Sequence, residues 1–214
     1  MKTVDLFRHT DNDGDALTPA GVAAAEQVAR EELTPPYHAF VSTGAARATQ
    51  MLEILRRAVN QDEVPILEEA GLRSFVEERW RDAAKAAGKG ADLEAIRDRD
   101  PDLVDHESAL LGQALERVFE RLPDGARALV VGHSPTNEAA ILGLTGSLVA
   151  PPRQGRRRAG HRERGPLHGR RDRRSRLKVG PIAHRTAGST LDHGRLSAGY
   201  PITESCPKRA WRGF

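Results

Sequence analysis

Residues 128–135, Ala128-Leu129-Val130-Val131-Gly132-His133-Ser134-Pro135, hold the most apolar run of the chain and end it on a histidine. Four consecutive apolar residues, two of them β-branched, suit a strand buried on both faces of a sheet. The Gly-His-Ser-Pro turn then leads into a helical pattern from Thr136 to about Leu144. The run therefore reads as a central strand that delivers His133 at its C-terminal end.

The same unit recurs upstream. Val4-Asp5-Leu6-Phe7 is a short strand ending at Arg8-His9-Thr10. A polar loop, Asp11 to Asp15, separates it from a helix that Thr18 caps and Pro19 opens, running to about Glu32. Ala39-Phe40-Val41-Ser42 is a second strand, followed by a helix from Ala45 to about Val59 with Met51, Leu52 and Leu55 on one face. Val64-Pro65-Ile66-Leu67 suits a short edge strand, since proline cannot serve a central one. Residues 76–99 read as a charged, exposed helical face, and Glu107 to Leu122 as an amphipathic helix. The βαβα order predicts an α/β fold: a three-layer α/β/α sandwich with a largely parallel sheet and right-handed crossovers.

Charge divides the chain near Pro151-Pro152. Residues 1–150 carry 16 Lys+Arg against 26 Asp+Glu; residues 151–214 carry 17 against 4, with 15 of the 17 being Arg, plus 9 Gly and 6 Pro. The first segment is expected to be the catalytic domain. The second is too poor in apolar side chains to offset chain entropy and is expected to be a basic, disordered tail. Its Arg/Gly/Pro bias and lack of strand or helix period also fit an out-of-frame translation of a GC-rich gene, which would leave the sheet edge unpaired. A genuine tail, with Arg clusters at 156–158 and 170–176 but few aromatics, would favour phosphate-backbone attraction without base stacking.

Function classes narrow accordingly. No apolar stretch is long enough for a membrane span, and the N-terminal residues run straight into a strand, so the expectation is a cytoplasmic protein without membrane partners. The lone Cys206 forms no internal disulfide. No Cys/His or carboxylate spacing suggests a metal, and no cofactor is expected.

Three strand-to-helix junctions, at Arg8-His9, Ser42 to Arg47 and Gly132-His133, fall where such sheets place their sites. Two arginines and two histidines converging there make an anion pocket. A phosphoryl group spreads charge over three oxygens, which Arg8, Arg47 and His133 can bind. His9, kept neutral by repulsion from Arg8, leaves a ring nitrogen free to attack phosphorus. Ser134 and Thr43 are candidate pocket-lining donors.

These residues resemble a family, the histidine phosphatases of the phosphoglycerate mutase-like superfamily. Leu6-Phe7-Arg8-His9-Thr10 is similar to its Arg-His-Gly signature, and Leu17-Thr18-Pro19-Ala20-Gly21 to the helix start that follows. Ser42-Thr43-Gly44-Ala45-Ala46-Arg47-Ala48-Thr49-Gln50 is similar to the second motif, and Val131-Gly132-His133-Ser134 to the third; Glu107-Ser108, in front of the long helix, also fits. The likeness spans about residues 2–146. Thr10 stands where glycine is usual, Gly44 where proline is, and Met51 where threonine is common.

The resemblance implies hydrolysis of a phosphomonoester or a phosphohistidine protein through a phosphohistidine on His9. It also implies a general-acid glutamate in a Leu-x-Glu stretch, which here is Glu69, with Glu68 and Glu77 as alternatives. The loop after Thr10 lacks the Ser/Thr-x-x-Asn pattern of the mutase branch, which favours a phosphatase. The competing readings are a non-catalytic phosphate-binding module and nucleic-acid binding through the tail, the latter only if the tail is genuine.

Overall fold

The computed structural model describes residues 2–149 and, as backbone, residues 199–203. Four strands of the sheet run parallel: β1 (Thr3–Arg8), β4 (Ala39–Ser42), β5 (Ile66–Glu68) and β6 (Arg127–Gly132). With β7 (Gly199–Thr203) the spatial order is β5-β4-β6-β1-β7, so β6 and its Ala-Leu-Val-Val run lie in the centre. Each of Ala128 to Val131 is fully buried, as a strand covered by helices on both faces requires.

Strand alternation sorts the core into two layers. Val4, Leu6, Val41, Ala128 and Val130 face one side, where Trp80, Leu93, Ile96, Leu111, Leu115 and Ile141 pack on them. Those residues come from α3 (Glu77–Ala87), α4 (Leu93–Arg99), α5 (Pro101–Arg121) and α6 (Thr136–Thr145). Phe7, Phe40, Leu129 and Val131 face the other side. They meet Ala25 and Val28 of α1 (Pro19–Glu31) and Met51, Leu52 and Leu55 of α2 (Ala46–Ala58). Asp5 is the polar exception: its Oδ2 accepts from Tyr37 Oη at 2.9 Å and Arg127 Nε at 2.8 Å.

The Thr18 cap forms as expected, its hydroxyl accepting from Gly21 N at 3.0 Å, a contact that stabilises a helix start by about 1 kcal/mol. Three expectations need correction. The charged stretch 76–99 is two helices, because the chain turns at Gly88 with φ +103°, a left-handed conformation that ends α3, and restarts where Asp92 caps α4. The long helix begins at Pro101 under an Asp100 cap, so Glu107 and Ser108 lie inside it and not in front of it. The polar loop after Thr10 is a small hairpin, β2 (Asn12–Asp13) against β3 (Ala16–Leu17), turning at Gly14-Asp15.

The tail reading is corrected at one point. β7 (Gly199–Thr203) pairs antiparallel with β1, Val4 opposite Ile202, along the edge that an out-of-frame tail would leave unpaired. It is an edge strand, where Pro201 is tolerated. The rest of 150–214, with both Arg clusters, lies outside the described residues. Among the described residues no helix is long and apolar enough to cross a membrane.

Candidate active site

Register brings the histidines together. β1 and β6 run in parallel with Arg8 opposite Gly132, and His9 N donates to Gly132 O at 3.0 Å. The next residue on each strand is therefore a histidine, and the two rings meet edge to face with centroids 5.1 Å apart. β4 adds the third component: Ser42 lies opposite Val131, so Thr43 and the start of α2 arrive beside His133. Gly44 carries this loop at φ +83°, a conformation closed to proline, and a Cβ there would meet the Glu68 carboxylate. The loop thus takes its own path where the resemblance expects proline. Thr10, where glycine is usual, is accommodated by donating its hydroxyl to Gly21 O at 2.7 Å.

The hydrogen bonds fix both tautomers. A carbonyl only accepts, so the 2.8 Å contact between His9 Nδ1 and Thr10 O places the proton on Nδ1. Arg47 Nε only donates, and it reaches His9 Nε2 at 3.2 Å, so that nitrogen carries the lone pair. Arg47 Nη2 lies 3.3 Å from His133 Nδ1, which must accept. His133 Nε2–H then donates to Thr43 Oγ1 at 3.0 Å. One guanidinium thus touches both imidazoles. Its third edge, Nη1, donates to Asp15 Oδ1 at 2.7 Å, and Asp15 Oδ2 accepts from Ala46 N at 3.2 Å. The N-cap residues Ala45 and Pro135 make no side-chain cap, so the positive ends of α2 and α6 face the cluster, with the Asp15 carboxylate on the first amide of α2.

Both imidazoles are held neutral. Burial is the largest cause for His9, whose pKa falls to about 4, with Arg47 and Arg8 adding repulsion and the Thr10 carbonyl opposing it. The expected repulsion from Arg8 is real but secondary. His133 falls to about 3, through burial first and then His9, Arg47 and Arg73. The consequence for stability has a definite sign. The unfolded chain takes up protons on these histidines near pH 6.5 while the folded chain does not, so acid favours unfolding. Stability is expected to fall as pH drops from about 6.5 towards 4, by on the order of 2 kcal/mol per imidazole at pH 5. Urea unfolding at pH 7 and pH 5 measures this. The loss should shrink in a His9→Asn/His133→Asn protein, and an equal loss in that protein would refute the assignment.

The cluster thus brings together His9, Arg47, His133 and Thr43, with Arg8 at the end of β1 acting on His9 by charge. Ser134 turns away to Glu138, donating to Oε1 at 2.8 Å. Glu69 is buried, but its oxygens meet Arg117 Nη2 at 2.9 Å and Arg121 Nη1 at 3.0 Å, both on α5. No hydrogen bond joins it to the imidazoles among the described residues. Glu77 accepts from Arg73 Nε at 3.0 Å. Two contributors had no sequence signal. Asp15 reaches Arg47 only because the loop folds as a hairpin, and Arg73 approaches because the short 3-10 turn Ala70–Leu72 follows β5. Among the described residues, no group of three or more His, Cys, Asp or Glu side chains could hold a metal ion.

No protein-family model matches the chain, and neither does any curated protein. Solved structures do. A phosphoglycerate mutase from Bacillus anthracis str. Sterne matches with a TM-score of 0.50 and 19% identity over 65% of this chain and 78% of that one. A phosphoserine phosphatase from Entamoeba histolytica, solved with 3-phosphoglyceric acid, matches with a TM-score of 0.48 and 15% identity over 67% and 79%. YhfR of Bacillus stearothermophilus matches with a TM-score of 0.46 and 18% identity over 66% and 79%. The described domain has the fold of that phosphoglycerate mutase.

Proposed function

We propose that the protein hydrolyses phosphomonoesters, or phosphohistidine, through a covalent phosphohistidine on His9. The supporting observation is the fixed neutral tautomer of that imidazole, with a lone pair on Nε2 and Arg47 beside it. The phosphoryl oxygens take the place of the imidazole nitrogens as acceptors for Arg47. Arg8, Arg47 and His133 Nε2–H hold those oxygens, and the helix ends add positive potential.

The chemistry follows in two displacements. His9 Nε2 gives its lone pair to phosphorus while the bond from phosphorus to the ester oxygen breaks, and the departing alkoxide takes a proton. Water then attacks the phosphohistidine and returns a proton to the group that protonated the alkoxide, the N–P bond gives its electrons back to Nε2, and inorganic phosphate leaves. Glu69 is the candidate proton donor. To serve, it must first release Arg117 or Arg121.

Leaving-group dependence tests this role. Glu69→Gln should slow an alkyl phosphate by about a hundredfold while barely affecting p-nitrophenyl phosphate, whose leaving group needs no proton. Equal loss on both substrates, or on neither, would remove Glu69 from proton transfer. Absence of turnover by the wild type on all such esters would overturn hydrolysis itself.

A further inference from the structure

Asn137 stands in the first turn of α6, just after His133, and its side chain is buried. A carbonyl only accepts, so the amide atom 3.0 Å from Phe7 O is Nδ2, which donates across to β1. That turns Oδ1 towards the α-carbon of Gly132, so closely that a Cβ on Gly132 would run into it. Gly132 is the last residue of β6 and has no left-handed φ. What requires glycine there is this contact and not the backbone conformation.

Three hydrogen bonds then close a ring that contains both histidines. His9 N donates to Gly132 O at 3.0 Å, Asn137 N donates to His133 O at 2.7 Å, and Asn137 Nδ2 donates to Phe7 O. The peptide chain supplies the remaining links, Phe7 to His9 on one side and Gly132 to His133 on the other. Thr136 Oγ1 adds a second donor to His133 O at 3.1 Å. The first two bonds of the ring are main-chain bonds, open to any side chain; the third exists only because residue 137 is an asparagine. It matters because the β1–β6 pairing ends at Arg8 and Gly132, one residue short of both imidazoles. A buried bond of this kind does not exchange with water, so it holds the two strand ends at a fixed offset.

We propose that Asn137 is a positioning residue of the phosphoryl-transfer site: its amide sets the distance and angle at which His9 Nε2 meets a phosphoryl group held by Arg47 and His133. Among the described residues no hydrogen bond joins Asn137 to either imidazole, so it acts through Phe7 and Gly132. Misplacing a reacting pair by about 1 Å can cost about a hundredfold in rate, while attraction of an anion to fixed cations changes far less. The inference rests on the phosphatase reading, and its test separates the two.

Asn137→Ala, in the full-length protein and well below its melting temperature, should lower kcat on a phosphomonoester about thirtyfold while inhibition by inorganic phosphate changes less than about threefold. Gly132→Ala should act alike, by pushing the amide off Phe7 O. The double variant should be no slower than Asn137→Ala alone, because the added Cβ then has room. A merely structural asparagine would lower the melting temperature and leave kcat of the folded variant within about threefold of wild type, and that result overturns the proposal. So does an equal fall in kcat and phosphate affinity, or a double variant whose losses multiply. The NMR cross-peak expected between the His9 and His133 ring protons should weaken in both single variants. Should Asn137→Ala fail to fold by circular dichroism, Gly132→Ala decides by the same split between kcat and phosphate inhibition. Should the wild type turn over no ester, the phosphatase reading falls and the cross-peak decides alone: its loss in the variants supports the positioning role, and its retention overturns it.

Discussion

His9→Ala is expected to lower turnover of every phosphomonoester the protein accepts by about four orders of magnitude or more, because it removes the group proposed to form the covalent intermediate. The expectation follows from position as much as from chemistry. His9 sits one residue past the β1–β6 ladder, its Nδ1 anchored on Thr10 O and its Nε2 next to Arg47. His9→Asn and His9→Gln should fail equally, since neither amide offers a basic nitrogen lone pair. The fold should survive, as the side chain lies at the edge of the sheet and outside both apolar clusters. Initial rates combined with a thermal-melt comparison check this. A folded His9→Ala protein that keeps a tenth of wild-type activity would remove His9 from the reaction.

Arg47→Ala is expected to cost about a thousandfold in kcat/KM, near the upper end for loss of a fixed donor to a reacting group. The reason is the number of contacts one guanidinium makes: His9 Nε2, His133 Nδ1 and the Asp15 carboxylate. Arg47→Lys should recover little, because a single ammonium cannot reproduce the planar fork that spans two imidazoles or two phosphoryl oxygens. Both substitutions should also weaken product inhibition by inorganic phosphate, which separates loss of phosphate binding from damage to the nucleophile. Loss of a neighbouring cation should raise the His9 pKa, which titration of the imidazole by NMR reads directly. An Arg47→Lys protein with near wild-type kcat/KM and unchanged phosphate inhibition would contradict the role given to the fork. Asp15, as a positioning residue, should show a smaller effect in the same direction.

The amino-acid sequence makes legible whatever a strand end delivers. His9, Arg8 and His133 were legible because two short apolar strands stop at them, and parallel neighbours with matched register carry their last residues to one edge. Arg47 was legible because it follows a strand by a few residues, at the start of a helix. Contributors from irregular segments were not. Asp15 looks like a solvated loop acid until Gly14 turns the hairpin, and Arg73 like one more charge in a polar run. Glu69 was singled out as an acid, yet its partners Arg117 and Arg121 lie about fifty residues on, beyond the reach of local pattern. The helical insert failed for another reason. Charged helices of similar periodicity run together in sequence, and only the Gly88 turn and the Asp92 and Asp100 caps separate them.

The neutral state of His9 also changed its explanation. Repulsion from Arg8 was the visible cause, whereas burial, which no adjacent pair of residues reveals, is the larger one. The same limit explains β7, where Gly199–Thr203 holds a proline and lies far from β1 in sequence, so only long-range pairing marks it as a strand.

The central claim is that phosphorus becomes bonded to His9. Rapid alkaline quench of the wild-type protein during turnover of an excess of ester, followed by digestion at high pH and mass spectrometry, locates the bond, because phosphohistidine survives alkali and is lost in acid. The expected result is one phosphoryl group on the peptide containing His9, absent after acid treatment and absent in His9→Ala. A phosphoryl group on another residue, or sustained turnover with His9 unmodified under the same quench, would contradict it.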